Sequence, residues 1–95
     1  MYELVPRYSS KKSFYGKAKI KEIEDDEAKG YLLYSYGTLV AIYSEYKNIN
    51  KKIYNYIGHF SMTTTSHQKE FFKQYGLNDS EIKEVIKKGE LEIEE

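Results

Sequence analysis

Seven of the eleven tyrosines (Tyr31, Tyr34, Tyr36, Tyr43, Tyr46, Tyr54 and Tyr56) fall in three short segments, 31–36, 39–46 and 53–60, otherwise rich in Leu, Val and Ile. Aromatic and β-branched side chains suit a pleated, half-buried surface and lose rotamer freedom in a helix, so these segments predict strands. Their nearly continuous apolar character predicts central strands with both faces at least partly covered. Gly37 separates the first two as a bulge, bend or tight turn. The turn formers of Lys47-Asn48-Ile49-Asn50-Lys51-Lys52 join the last two in a hairpin.

The flanking sequence adds one strand and two helices. From Ser13 to Ile23, apolar Phe14, Ala18 and Ile20 alternate with Tyr15, Lys17, Lys19 and Lys21, a period of two that marks a half-buried strand with a basic outer face. Glu24-Asp25-Asp26-Glu27 and Gly30 read as the following turn. The period then changes. Thr65 and Gln68 fit a capping box, His67, Phe71, Phe72 and Tyr75 follow at helical spacing, and Gly76 suits the helix end. A second helix starts at Asn78, with Glu81 three residues on, buries Ile82, Val85 and Ile86, and stops near Gly89. The alternating tail from Glu90 to Glu95 fits a short edge strand or a frayed acidic end. The expected fold is α+β: an antiparallel β-meander of about four strands followed by two short C-terminal helices packed on one face. Its 95 residues make a single domain, 1–95, too small for a large internal cavity.

Composition removes several classes of function. The absence of cysteine excludes disulfides, thiolate metal sites and cysteine nucleophiles. A mean hydropathy of −0.74 argues against a membrane span, and the opening residues show no basic segment followed by an apolar run, so a cytoplasmic location is expected. Fifteen basic residues balance fifteen acidic ones, so electrostatic function must come from segregated charge.

Segregation is present. Through residue 22 the chain carries Arg7, Lys11, Lys12, Lys17, Lys19 and Lys21 against only Glu3 and Glu22. Lysines repeating along one strand face match the spacing of a nucleic-acid backbone, and Tyr8 and Tyr15 among them can stack on unpaired bases. The same lysines also suit a solvated face that protects an edge strand. Residues 24–27 and the tail are acidic, either as solubilising segments or as a phosphate mimic presented to a basic channel. Tyr34, with Tyr54 and Tyr56, suits a tyrosine ladder that either meets a partner or fills the core boundary.

The hydroxyl-rich segment from Ser61 to His67, just before a helix, suits either anion binding through Ser61, Thr63, Thr64 and His67 or simple capping. Nucleophilic catalysis needs an orienting group and an oxyanion site besides Ser and His, and neither is evident. His59 and His67 lack a third metal ligand. No catalytic residue, metal or cofactor is therefore assigned.

Ser35-Tyr36-Gly37-Thr38, followed by Ser61-Met62-Thr63-Thr64-Thr65-Ser66-His67 and Phe71, resembles a family of small uncharacterised proteins encoded by bacteriophages and plasmids, over roughly Tyr34 to Tyr75. The resemblance implies a mobile-element origin and a role inside the host cell, and it transfers no chemistry. The expectation is a non-enzymatic binding protein of a phage, virus or plasmid, contacting a host macromolecule and in one version inhibiting a defence effector such as CRISPR. The alternative is a small nucleic-acid-binding or regulatory protein using the basic N-terminal strand. A homodimer is compatible with both.

Overall fold

The computed structural model describes residues 1–94. The chain runs β1 (Tyr2–Glu3), β2 (Ala18–Glu24), β3 (Ala28–Ser35), β4 (Thr38–Tyr46), β5 (Lys51–Tyr56), α1 (Met62–Gln74), α2 (Asp79–Lys88) and β6 (Glu90–Glu94). The strands form one antiparallel sheet in the order β1-β2-β3-β4-β5-β6. The α+β meander is as expected, but the sheet has six strands instead of about four. The two additions are edges: Tyr2–Glu3 pairs with β2, and the tail pairs with β5. The acidic tail is thus a strand through Glu94, and Glu95 lies outside the described residues.

Lys51 and Lys52, expected in the turn, open β5, which ends at Tyr56 instead of Phe60, and two other boundaries shift for local reasons. β2 begins at Ala18 because Tyr15 and Gly16 form a turn, although Phe14, Ala18 and Ile20 are buried as their alternation requires. α1 begins one turn before Thr65. Ser61 is its N-cap, its hydroxyl accepting from the Thr64 N–H at 3.1 Å, while the Thr65 and Ser66 hydroxyls donate back to the carbonyls of Ser61 and Met62. Gln68 leaves capping altogether and donates from Nε2 to the carbonyls of Val40 and Gly58, stapling α1 to the sheet. α2 follows its sequence signals, with an Asn78–Glu81 capping box and Gly89 left-handed at its end.

Both helices lie on one face of the sheet. Register places Ile20, Leu33, Ala41 and Tyr56 in one inward row, and Tyr31, Tyr43, Tyr54 and Leu91 in the next. A bulge between Leu33 and Tyr34 leaves Val40 unpaired, and both Val40 and Ala41 are buried. Tyr31, Tyr43 and Tyr54 make a ring ladder with centroid spacings of 5.6 and 4.7 Å. Tyr75 of the α1 C-cap lies against Tyr31 at 4.8 Å and Tyr43 at 4.9 Å, and Phe72 meets Tyr54 edge-on. The opposite face carries Leu32, Tyr34, Leu39, Ile42 and Ile53 half-buried, with no helix over it among the described residues.

The Tyr54 hydroxyl donates to the Tyr75 carbonyl at 2.6 Å, joining the sheet to the end of α1. Tyr54→Phe orphans that carbonyl and should destabilise the fold by about 1–3 kcal/mol. Tyr54→Ala also opens a cavity in the ladder and should cost about 3–5 kcal/mol, both read from urea denaturation.

Candidate functional site

Two tight turns of the same kind sit side by side at one end of the sheet. In the first, the Lys17 N–H donates to the Phe14 carbonyl at 3.0 Å across Tyr15 and Gly16; in the second, Tyr36 and Gly37 connect the paired residues Ser35 and Thr38. All four central residues have positive φ: 54° and 73° in the first turn, 51° and 81° in the second. Positive φ at both central residues of a two-residue loop is the type I′ arrangement, which favours Asn-Gly. Here tyrosine occupies the first position twice, where a left-handed backbone costs an ordinary residue about 1–2 kcal/mol. The Tyr36 N–H donates to the Lys17 carbonyl at 2.8 Å, locking the turns together. The rings gain little burial in exchange, since Tyr15 is 84% exposed and Tyr36 58%. Strain that packing does not repay points to function.

His67 supports both turns from below. Its ring meets Phe14 edge-on at 4.5 Å and lies 6.0 Å from Tyr36. Its Nδ1 is 2.8 Å from the Ser35 hydroxyl, which is 2.9 Å from the Thr64 hydroxyl. Ser35, Thr64 and His67 are all buried, so this cluster anchors α1 to the strand that leads into the second turn. Burial, and then the Lys11 ammonium, hold the imidazole below its ordinary value near 6.5.

Above this base opens a cleft of about 500 Å³, lined by Lys11, Lys12, Lys17, Tyr15, Tyr36 and Thr63, with Ser13, Phe14 and His67. A second cleft of about 490 Å³ continues past Tyr36 to Lys17, Lys19, Tyr34 and Gly37. Among the described residues no carboxylate lines the first, and the Glu3 carboxylate lies beside Gly16 at the rim of the second. Lys11, Lys12, Lys17 and Lys19 form no ion pair among the described residues, whereas Lys29, Lys47, Lys51, Lys73 and Lys88 each hold a Glu or Asp. The arm carrying Lys11 and Lys12 is fixed by the buried Glu70 carboxylate, which accepts from the N–H groups of Arg7 at 3.1 Å and Tyr8 at 3.0 Å, and from Gln74 Nε2.

The residues singled out in the sequence thus divide. Lys11, Lys12, Lys17, Tyr15, Tyr36, Thr63 and His67 converge on the first cleft, and Lys19 and Tyr34 on the second. Arg7 and Lys21 are exposed and line neither cleft, and Thr38 is exposed at the start of β4. Tyr54 is buried and Tyr56 faces the helices, so neither side chain is offered to a partner, and the ladder belongs to the core. Of the Ser61–Ser66 hydroxyls only that of Thr63 makes no internal hydrogen bond among the described residues, which weakens the anion-binding expectation for the others. Sequence reasoning missed the Ser35–His67 contact and the Glu70 anchor. The recurrence of Tyr-Gly at 15–16 and 36–37, in place of Asn-Gly, is the sequence signal that would have found the paired turns.

Among the described residues no group of three or more His, Asp or Glu side chains is gathered to hold a metal ion, and no helix is long and apolar enough to cross a membrane. A model of a family of unknown function (DUF8033) matches residues 2–88. No curated protein and no solved structure matches the chain.

Two outcomes follow from this geometry. The His67 proton is bound more weakly in the folded chain, so stability is full above about pH 6.5. It should fall by up to about 1.4 kcal/mol per unit below that, until the folded imidazole itself titrates. His67→Gln should lack this slope in chemical denaturation between pH 7 and 5. Glu70→Ala should release the arm, seen as faster proteolysis within residues 5–17 while the sheet stays protected from hydrogen exchange.

Proposed function

The chain belongs to a family of unknown function, DUF8033, and from that premise we propose a non-enzymatic binding protein that holds single-stranded nucleic acid in the basic, tyrosine-flanked clefts. One observation carries the reading: two strained Tyr-Gly turns present exposed rings beside four lysines that have no ion-pair partners among the described residues. Aromatic platforms beside a cationic track are what unpaired bases and their phosphates require. A rigid duplex hides its base faces, whereas a single strand can place one base against each ring.

A binding role is favoured over catalysis because the Ser35 hydroxyl is buried between Thr64 and His67, where no substrate carbonyl reaches it. In the phage, virus or plasmid setting implied by the motifs at Ser35–Thr38 and Ser61–His67, the bound strand is one handled by the host cytoplasm or its defence machinery. Occupying that strand is the means of interference with the host.

Fluorescence anisotropy with a labelled oligonucleotide tests the reading. Lys11→Ala, Lys12→Ala and Lys17→Ala together should weaken binding and flatten the salt dependence by about 0.7 in log–log slope for each phosphate no longer neutralised. Tyr15→Asn and Tyr36→Asn relieve the backbone, so each should leave stability equal or higher while losing about 1–3 kcal/mol of binding. Unchanged affinity and salt slope in all of these variants would refute the proposal.

A further inference from the structure

The sheet face turned away from the helices is uncovered and strongly patterned. Its central strands carry Leu32, Tyr34, Leu39, Ile42 and Ile53, half-buried, and Ile23 is 49% exposed on β2. One flank carries Lys19 and Lys21 on β2; the other carries Glu90, Glu92 and Glu94 on β6. With Glu3, which lies across from Lys19 on β1, and Lys51, which pairs with Glu92, the three lysines and four glutamates leave this face at −1. The apolar middle therefore lies between a positive edge and a negative edge.

We propose that this face docks a second copy of the chain, related by a two-fold axis running parallel to the strands. Rotation about that axis lays β2 of one copy over β6 of the other, β3 over β5, and β4 over its own counterpart. Lys21 then faces Glu90 twice, once at each flank. Leu39 and Ile42 meet their own symmetry mates, Leu32 covers Asn55, and Ile53 meets Ile23, whose side chain lies over Gly30. This is the isologous arrangement of a closed dimer, in the aligned mode by which two sheets stack about 10 Å apart. Charge pattern selects the occupant: a nucleic acid would meet three glutamates, and a lipid surface would have to desolvate both charged flanks, whereas a second copy supplies the opposite sign at each edge. Area is sufficient as well. The five strands that overlap, β2 to β6, at about 4.8 Å and with rows of about 20 Å, cover about 500 Å² per copy, so the pair reaches the size of about 1,000 Å² at which specific interfaces begin. The axis keeps both strand ends in place, so the cleft above His67 opens at the same end in both copies, while the dimer covers Lys19 and Tyr34 of the second cleft and closes that cleft to nucleic acid.

Sedimentation velocity and light scattering across a dilution series test the arrangement. The expected mass is twice 11.2 kDa, dissociating on dilution and more readily in high salt. Ile42→Lys should give a monomer with an unchanged melting temperature. Lys21→Glu and Glu90→Lys should each be monomeric at concentrations where the parent chain is dimeric. Mixed in equal amounts they should dimerise again, because the two reversed charges then face each other at one flank while the native Lys21 and Glu90 still meet at the other. The salt dependence of the parent chain provides a measurement that needs no variant. A monomer up to millimolar concentration overturns the proposal and leaves the face to a different protein. A dimer indifferent to Ile42→Lys, to both charge reversals and to salt overturns it in favour of pairing between exposed strand edges.

Discussion

The contact of α1 with the tyrosine ladder is what the other features rest on. A meander of short strands cannot stand alone in water, because one face must exclude solvent before the ladder hydrogen bonds gain value. Here Tyr31, Tyr43 and Tyr54 build a flat aromatic floor across β3, β4 and β5, and Phe71, Phe72 and Tyr75 settle on it from one side of α1. The same helix then holds the Tyr-Gly turns through His67, the N-terminal arm through Glu70 and the bulged strand through Gln68. Tyrosine suits the floor because its hydroxyl can stay bonded when the ring is buried, as Tyr54 and Tyr43 do with the Tyr75 carbonyl and the Glu45 carboxylate. Burial and the neighbouring carboxylate push the Tyr43 phenol upward, so it remains neutral and hydrogen-bonded at ordinary pH.

What could be read from the sequence was what depends on near neighbours. The Asn78–Glu81 box, the stop at Gly89, the turn through Asp25 and Asp26 and the inward side of Phe14, Ala18 and Ile20 are set within a few residues and the fold keeps them, whereas Gly30, expected in that turn, pairs inside β3 with Ile23 and Ser44. The Ser-Thr run offered several caps in succession, and the choice fell on Ser61 because Thr64 and His67 are drawn inward to Ser35. The tail could pair or fray according to where α2 delivers it, which no local pattern encodes. Tyr34 and Tyr54 look alike in sequence yet lie on opposite faces, because the apolar runs have no polar alternation to mark which side the helices cover.

The site was half legible for the same reason. Its lysines and Tyr15 form a visible cluster in the chain, and Tyr36 belongs to a motif, but the fold joins them through a turn-to-turn hydrogen bond spanning from Lys17 to Tyr36. The Ser-His motif, which invites a reading as chemistry, is instead a buried strut under those turns. The stored backbone strain falls where the rings are exposed, which separates the buried residues that hold the turns from the rings that face solvent.

The order of the strands also bears on how the chain reaches this state. Each of β2 to β5 pairs with the next across a short turn, so this part of the sheet can zip with little loop closure. β6 differs, since both helices intervene before it meets β5, and its pairing waits until they have docked. The strand bearing Glu90, Glu92 and Glu94 thus closes the longest loop in the sheet, and during synthesis the lysine flank is made before the acidic one.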